Sequence, residues 1–166
     1  MKESVATSTI LKIILAFTLL FSGFLAVAIT YNRVYRQKNE VVSIIEKYEG
    51  ITNKSIKLIN NYLKNSGYDT LGYCEEGEYG VSSLDNEDYE LALTNKKYYY
   101  CLSNYCSTNR CIINDNGAPN GNSIFYKTKL FFKFNLPFLG DLMIFKITGD
   151  TKAIKLYAQN QILHDN

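Results

Sequence analysis

The polar start of the chain gives way to an apolar run, and Ile13 to Thr30 contains no formal charge. About 20 mostly apolar residues cross a bilayer as a helix. Residues 10–30 supply them if Lys12 snorkels toward the headgroups. Tyr31 to Tyr48 contains no helix breaker, and Val34, Val41, Ile45 and Tyr48 recur at helical spacing. The pattern therefore predicts a membrane helix that runs on into a soluble amphipathic helix at about 31–49, with Gly50 as its cap. A second helix is expected at about 53–65. It starts at Thr52 or Asn53, with Ile51 and Ile56 as a hydrophobic staple, and Asn65-Ser66-Gly67 closes it. Ile56, Ile59, Tyr62 and Leu63 form its apolar face.

Beyond residue 70 the period changes. Residues 71–90 are rich in Glu and Asp, with glycines at 72, 77 and 80, and read as a solvated connecting loop. Strands follow at about 89–93 and 98–102, expected to pair as a hairpin across Thr94-Asn95-Lys96-Lys97. The cleanest alternation lies in the strand at about 123–134. Ile124, Tyr126, Thr128, Leu130, Phe132 and Phe134 fall on one side, with Phe125, Lys127, Lys129, Phe131 and Lys133 on the other. A strand at about 142–148, a hairpin turn at Gly149-Asp150 and a last strand at about 152–157 complete the pattern. The expected fold is α+β: an N-terminal transmembrane helix extends into a soluble helix packed on a four- or five-stranded antiparallel sheet. Residues 1–9 form a cytosolic lead, 10–30 the span and 31–166 an extracytoplasmic domain.

Composition narrows the function. A net charge of +2, with 20% charged residues, argues against nucleic-acid binding. The 14 Tyr and 9 Phe favour strands. They also offer a candidate contact surface of Tyr98, Tyr99 and Tyr100 beside a lysine face of Lys127, Lys129, Lys133, Lys146 and Lys155. Such a face suits an acidic polymer or lipid headgroups. Alternatively it is simply solvated, or it pairs with the acidic 75–90 segment. Cys74, Cys101, Cys106 and Cys111 read as two disulfides of open connectivity, with free thiols or a metal as alternatives. The spacing Cys101-x4-Cys106-x4-Cys111 matches neither a zinc knuckle nor a CxxC redox pair. His164 is the only histidine, and the chain holds no phosphate-binding glycine loop, zinc-protease motif or nucleophile elbow. No catalytic residue, metal site or cofactor is expected, and the chain reads as a non-enzyme.

Ala26-Val27-Ala28 admits a second reading of the apolar run, as a signal peptide cleaved after Ala28 to give a secreted protein. The unbroken helical pattern beyond it favours an anchor. Flanking charge weakly favours the C-terminal side inside. The cysteines favour that side outside, and they set the expected orientation: N-terminus in, domain out.

An apolar helix that becomes the spine of a sheet-bearing head resembles the layout of pseudopilins and, more narrowly, of TadE-like minor pilins of tight-adherence pili. The segment Phe134-Asn135-Leu136-Pro137-Phe138-Leu139-Gly140-Asp141, the following strand and Gly149-Asp150-Thr151 are similar to endings in that group. One departure stands out. Gly23-Phe24 lies inside the apolar run, and Ala28 occupies the place where a standard type IV prepilin carries glutamate. Processing by the prepilin peptidase is therefore not expected. The resemblance implies a structural or assembly component of a surface pilus, secretion or conjugation apparatus. It would sit in membrane lipid among other subunits or copies of itself, with Ser22, Gly23, Ala26 and Ala28 available for close helix packing. The alternative is an anchored or secreted binding module stabilised by disulfides.

Overall fold

A computed structural model describes residues 2–85, 89–93, 95–106, 123–136 and 140–155. The expected membrane and soluble helices are one element, α1 (Lys2–Lys47), with no break between them. From Ile10 to Ile29 its large apolar side chains are exposed. Further along, Val34, Gln37, Val41 and Ile45 are buried along one stripe, three or four residues apart. Within the apolar part, the hydroxyls of Thr18, Ser22 and Thr30 donate to the carbonyls of Ile14, Leu19 and Ala26. The helix thus satisfies these polar side chains itself, as a segment placed in lipid would have to.

The end of α1 departs from expectation in one residue. Glu49 takes the left-handed position at φ 53°, and Gly50 follows it. The Gly50 and Glu49 amides donate back to the Ile45 and Glu46 carbonyls at 3.0 and 3.2 Å. This is a Schellman closure, with Gly50 one place beyond the residue that bears the strain. Helix α2 (Asn53–Asn65) begins as expected, with Thr52 and Ser55 forming a reciprocal capping box. Ile51 and Ile56 are both buried beside that cap. A second Schellman closure ends α2, with Gly67 left-handed and Tyr68 folding back to bond the Leu63 carbonyl at 2.9 Å.

The segment expected to be a solvated loop holds two short strands, β1 (Gly72–Tyr73) and β2 (Tyr79–Val81). Then come β3 (Tyr89–Leu91), β4 (Lys97–Tyr98), β5 (Tyr100–Cys106), β6 (Ser123–Leu136), β7 (Gly140–Asp150) and β8 (Ile154–Lys155). The main antiparallel sheet runs β3-β2-β5-β6-β7, with β8 also paired to β6. A separate two-stranded sheet joins β1 to β4. The expected hairpin between 89–93 and 98–102 does not form, because β2 lies between them and pairs with both β3 and β5. Gly80 permits this: a Cβ there would stand 2.4 Å from the Tyr98 ring.

The expected turn at Gly149-Asp150 is also absent. Strands β7 and β8 lie antiparallel to the same edge of β6, β7 through Lys127–Leu136 and β8 through Ser123–Ile124. Thr151 bridges them: its amide donates to the Tyr126 carbonyl at 2.9 Å, and its hydroxyl accepts the Tyr126 amide at 3.0 Å. Gly149 serves helix packing, since a Cβ there would meet Lys38 and Val42 of α1 at 2.8 Å. Residues 156–157 of the expected last strand lie outside the described residues, as does Thr94 of the expected turn.

The core sits between the two helices and one face of the sheet. It comprises Val41, Ile45, Ile56, Ile59 and Leu63 from the helices with Val81, Tyr100, Leu102, Ile124, Tyr126 and Leu130 from the strands. The opposite face of the sheet is covered too. Cys74, Ala92, Tyr98, Cys101 and Phe131 form a second buried cluster there. The alternation read in β6 is therefore right in phase, but both of its sides meet protein.

One side chain ties these layers together. The Tyr68 hydroxyl accepts the Phe131 amide and donates to the Tyr99 carbonyl, both at 2.7 Å. It stands where the next rung between β5 and β6 would lie, beyond the Tyr100–Leu130 pair. Burial pushes its pKa well above the ordinary phenol range. Tyr68→Phe leaves both backbone groups without that partner, and a loss of about 1–3 kcal/mol is expected in urea unfolding. A change within experimental error would mean that the gap closes without the hydroxyl.

Candidate functional site

The candidate site has two parts: the apolar N-terminal stretch of α1, and the clasp on the far face of the sheet. Helix α1 is the one helix among the described residues that is long and apolar enough to cross a membrane. At about 1.5 Å per residue, its 46 residues extend about 69 Å. Of the small residues proposed for packing, Ser22 is exposed, and Gly23, Ala26 and Ala28 are half-buried among their own helix neighbours.

The clasp begins with the disulfide Cys74–Cys101, which joins the end of β1 to β5 with Cα atoms 5.7 Å apart. Gly72, two residues earlier, lies flat on the Phe131 ring, where a Cβ would come within 2.2 Å. Cys106 closes β5, and Cys111 lies outside the described residues. Glu78 reaches toward the disulfide, so that one ligand atom each from Cys74, Cys101 and Glu78 lies within 4.8 Å of the others. A metal would need thiolates there, and these sulfurs are joined to each other.

Glu78 instead meets Lys129. The lysine side chain is 4% exposed and its Nζ lies 2.7 Å from Glu78 Oε1. Glu75 Oε1 approaches the same Nζ at 3.0 Å and also takes the Lys146 Nζ at 2.8 Å. A tight turn with Gly77 at φ +84° presents both carboxylates, and the Glu75 amide donates to Glu78 Oε2 at 2.8 Å. The hydrogen bonds from Lys146 and then Lys129 hold the Glu75 carboxyl down at about 2. The lysine face thus pairs, at Lys129 and Lys146, with the acidic segment of the same chain. Lys127 and Lys133 are half-buried.

The aromatic contact surface dissolves on the same grounds. Tyr98 and Tyr100 are fully buried, and only Tyr99 is partly exposed. The Tyr100 hydroxyl donates to Asn60 Oδ1 of α2 at 2.7 Å, so it is a core contact. Sequence patterning offered the acidic 75–90 segment as a partner of the lysine face without singling out Glu75 and Glu78, and it missed Tyr68. Glu75 and Glu78 flank Gly77 three residues apart, a weak signal for a turn that converges two carboxylates. Nothing local marks Tyr68 as a bridge.

Two clefts open where α1 leaves its apolar stretch. One, of about 400 Å³, lies between α1 and α2 and is lined by Ile29, Arg33, Arg36 and Tyr62, among others. The other, of about 290 Å³, lies between α1 and β6, with Arg33, Asp69 and Lys133 on its walls. Comparison with models of protein families, with curated proteins and with solved structures finds no match.

Proposed function

We propose that this chain is a pilin-like structural or assembly subunit of a bacterial surface pilus, secretion or conjugation apparatus, held in the membrane by residues 10–30. The observation that carries this reading is the unbroken α1, whose apolar side chains are exposed up to Ile29 and whose later turns enter the core of the head. Such a helix serves as both membrane anchor and structural spine. The Cys74–Cys101 disulfide supports an oxidising compartment for the head, hence N-terminus inside and domain outside.

Intact-mass measurement and membrane fractionation of the mature protein test the anchor. The expected product retains residues 10–30 and stays with the membrane after high-salt washing. A soluble product that starts at Ile29 would overturn it. A photo-crosslinking residue at Phe24 tests the subunit role: crosslinks to a second membrane helix support it, and crosslinks to lipid alone favour an isolated anchored module.

A further inference from the structure

We propose that the cleft between α1 and α2 binds the phosphodiester headgroup of an anionic membrane lipid. This rests on the reading of α1 as a retained anchor, which fixes the height of the cleft. Ile29 marks the end of the exposed apolar residues of the span and also forms part of the cleft wall. Arg33 and Arg36 lie about 6 and 10 Å further along the helix axis. The headgroup layer is about 5–8 Å thick on each side of the hydrocarbon. Arg33 therefore starts within the headgroup layer, and Arg36 starts just beyond it with a long side chain that leans back toward the N-terminal turn.

The lining fits that chemistry. Arg33 and Arg36 are three residues apart and share one helix face. Asn32, Ser66 and the Tyr62 hydroxyl add polar groups, and Ile29 offers an apolar surface to the first methylenes of an acyl chain. Among the described residues no carboxylate lines this cleft; Glu40, one turn beyond Arg36, acts on Tyr62 from outside it. The volume of about 400 Å³ suits a small ligand. The site is also partly pre-set. Arg33 Nη2 donates to the Ser66 carbonyl, while buried Gln37 holds the Ser66 hydroxyl at 2.8 Å. Arg33 is thereby fixed against the end of α2, and Arg36 stands one turn along to complete a two-pronged anion clamp.

Native mass spectrometry of the full chain, released from micelles, tests this with three probes: phosphatidylglycerol, phosphatidylcholine and inorganic phosphate. A basic residue near an anionic membrane surface contributes about fivefold in binding. Arg36→Gln should reduce retained phosphatidylglycerol about fivefold, and Arg33→Gln/Arg36→Gln about thirtyfold. Phosphatidylcholine retention should be indifferent to both changes. Wild-type levels of phosphatidylglycerol on the double variant would overturn the proposal. So would inorganic phosphate that displaces the lipid at equal concentration, which would indicate a site for free anions. Arg36→Gln leaves the Arg33–Ser66 contact in place, and an unchanged urea midpoint separates lost binding from lost folding. If the anchor reading itself fails, the intact mass reports it independently, as a chain that starts at Ile29.

Discussion

Replacing both Cys74 and Cys101 by alanine should lower the stability of the head by about 3.5 kcal/mol. The bond closes a loop of sequence separation 27, and the chain-entropy cost of such a loop lies between about 3 kcal/mol for 15 residues and 4.7 for 100. The loop includes β2, β3 and β4, and its first cysteine directly follows β1, so the crosslink tethers the β1–β4 layer that covers the far face of the sheet. Without the crosslink, that layer holds on through Tyr98, Ala92, Phe131 and the ion cluster. Urea unfolding of the full chain in detergent, followed by tyrosine fluorescence, gives the measurement, and reduction of the wild type should reproduce the variant's midpoint. A loss below about 1 kcal/mol would show that the layer is held by packing and does not need its staple.

Lys129→Met should cost about 3–5 kcal/mol, the range for breaking a buried pair from one side. The Glu78 side chain is 11% exposed and would be left buried without its principal cation. The double variant Glu78→Gln/Lys129→Met should recover most of the loss, because a neutral pair of similar volume carries little desolvation penalty. Equal losses in the single and double variants would place the effect in packing around β6 and not in charge. Acid titration gives a separate view of the same cluster. The Glu75 carboxyl is depressed from 4.5 to about 2. Its contribution to stability is present above the unfolded value and is lost as pH falls toward 2. Lys146→Met removes the larger cause of the depression, so the variant should lose less stability than the wild type between pH 4.5 and 2. Parallel acid curves would mean that Glu75 is screened by solvent.

The helices were legible because their signals are local. The start at Thr52, the Ile51–Ile56 staple and the Val34-Val41-Ile45 spacing each rest on residues within a few turns of one another. The strand β6 was legible through its alternation, which fixed its phase. The pairing was not legible. Strand β2 is three residues long and contains a glycine, so it carries no period to detect. Its place between β3 and β5 depends on Tyr98 folding over Gly80, a contact between residues 18 positions apart. Gly149 illustrates a second limit. A glycine before an aspartate suggests a turn, whereas here its missing side chain admits α1, more than 100 residues away in sequence. At the clasp, Lys129 alternated correctly with its core neighbours, but a lysine opposite a core face normally faces water. Only the tertiary approach of Glu75 and Glu78 makes it buried.

The continuity of α1 has a mechanical consequence. No loop or proline separates the exposed apolar turns from those gripped by the core, so α1 has no hinge between them. From Ile29 to Lys47 the helix forms a lever arm of about 27 Å. A change of about 20° in tilt, well inside the range that spanning helices adopt, would sweep its far end by about 9 Å. With the apolar stretch in a bilayer, the orientation of the head would thus be a direct readout of the angle of the span, and a neighbouring helix that leaned on one would turn the other.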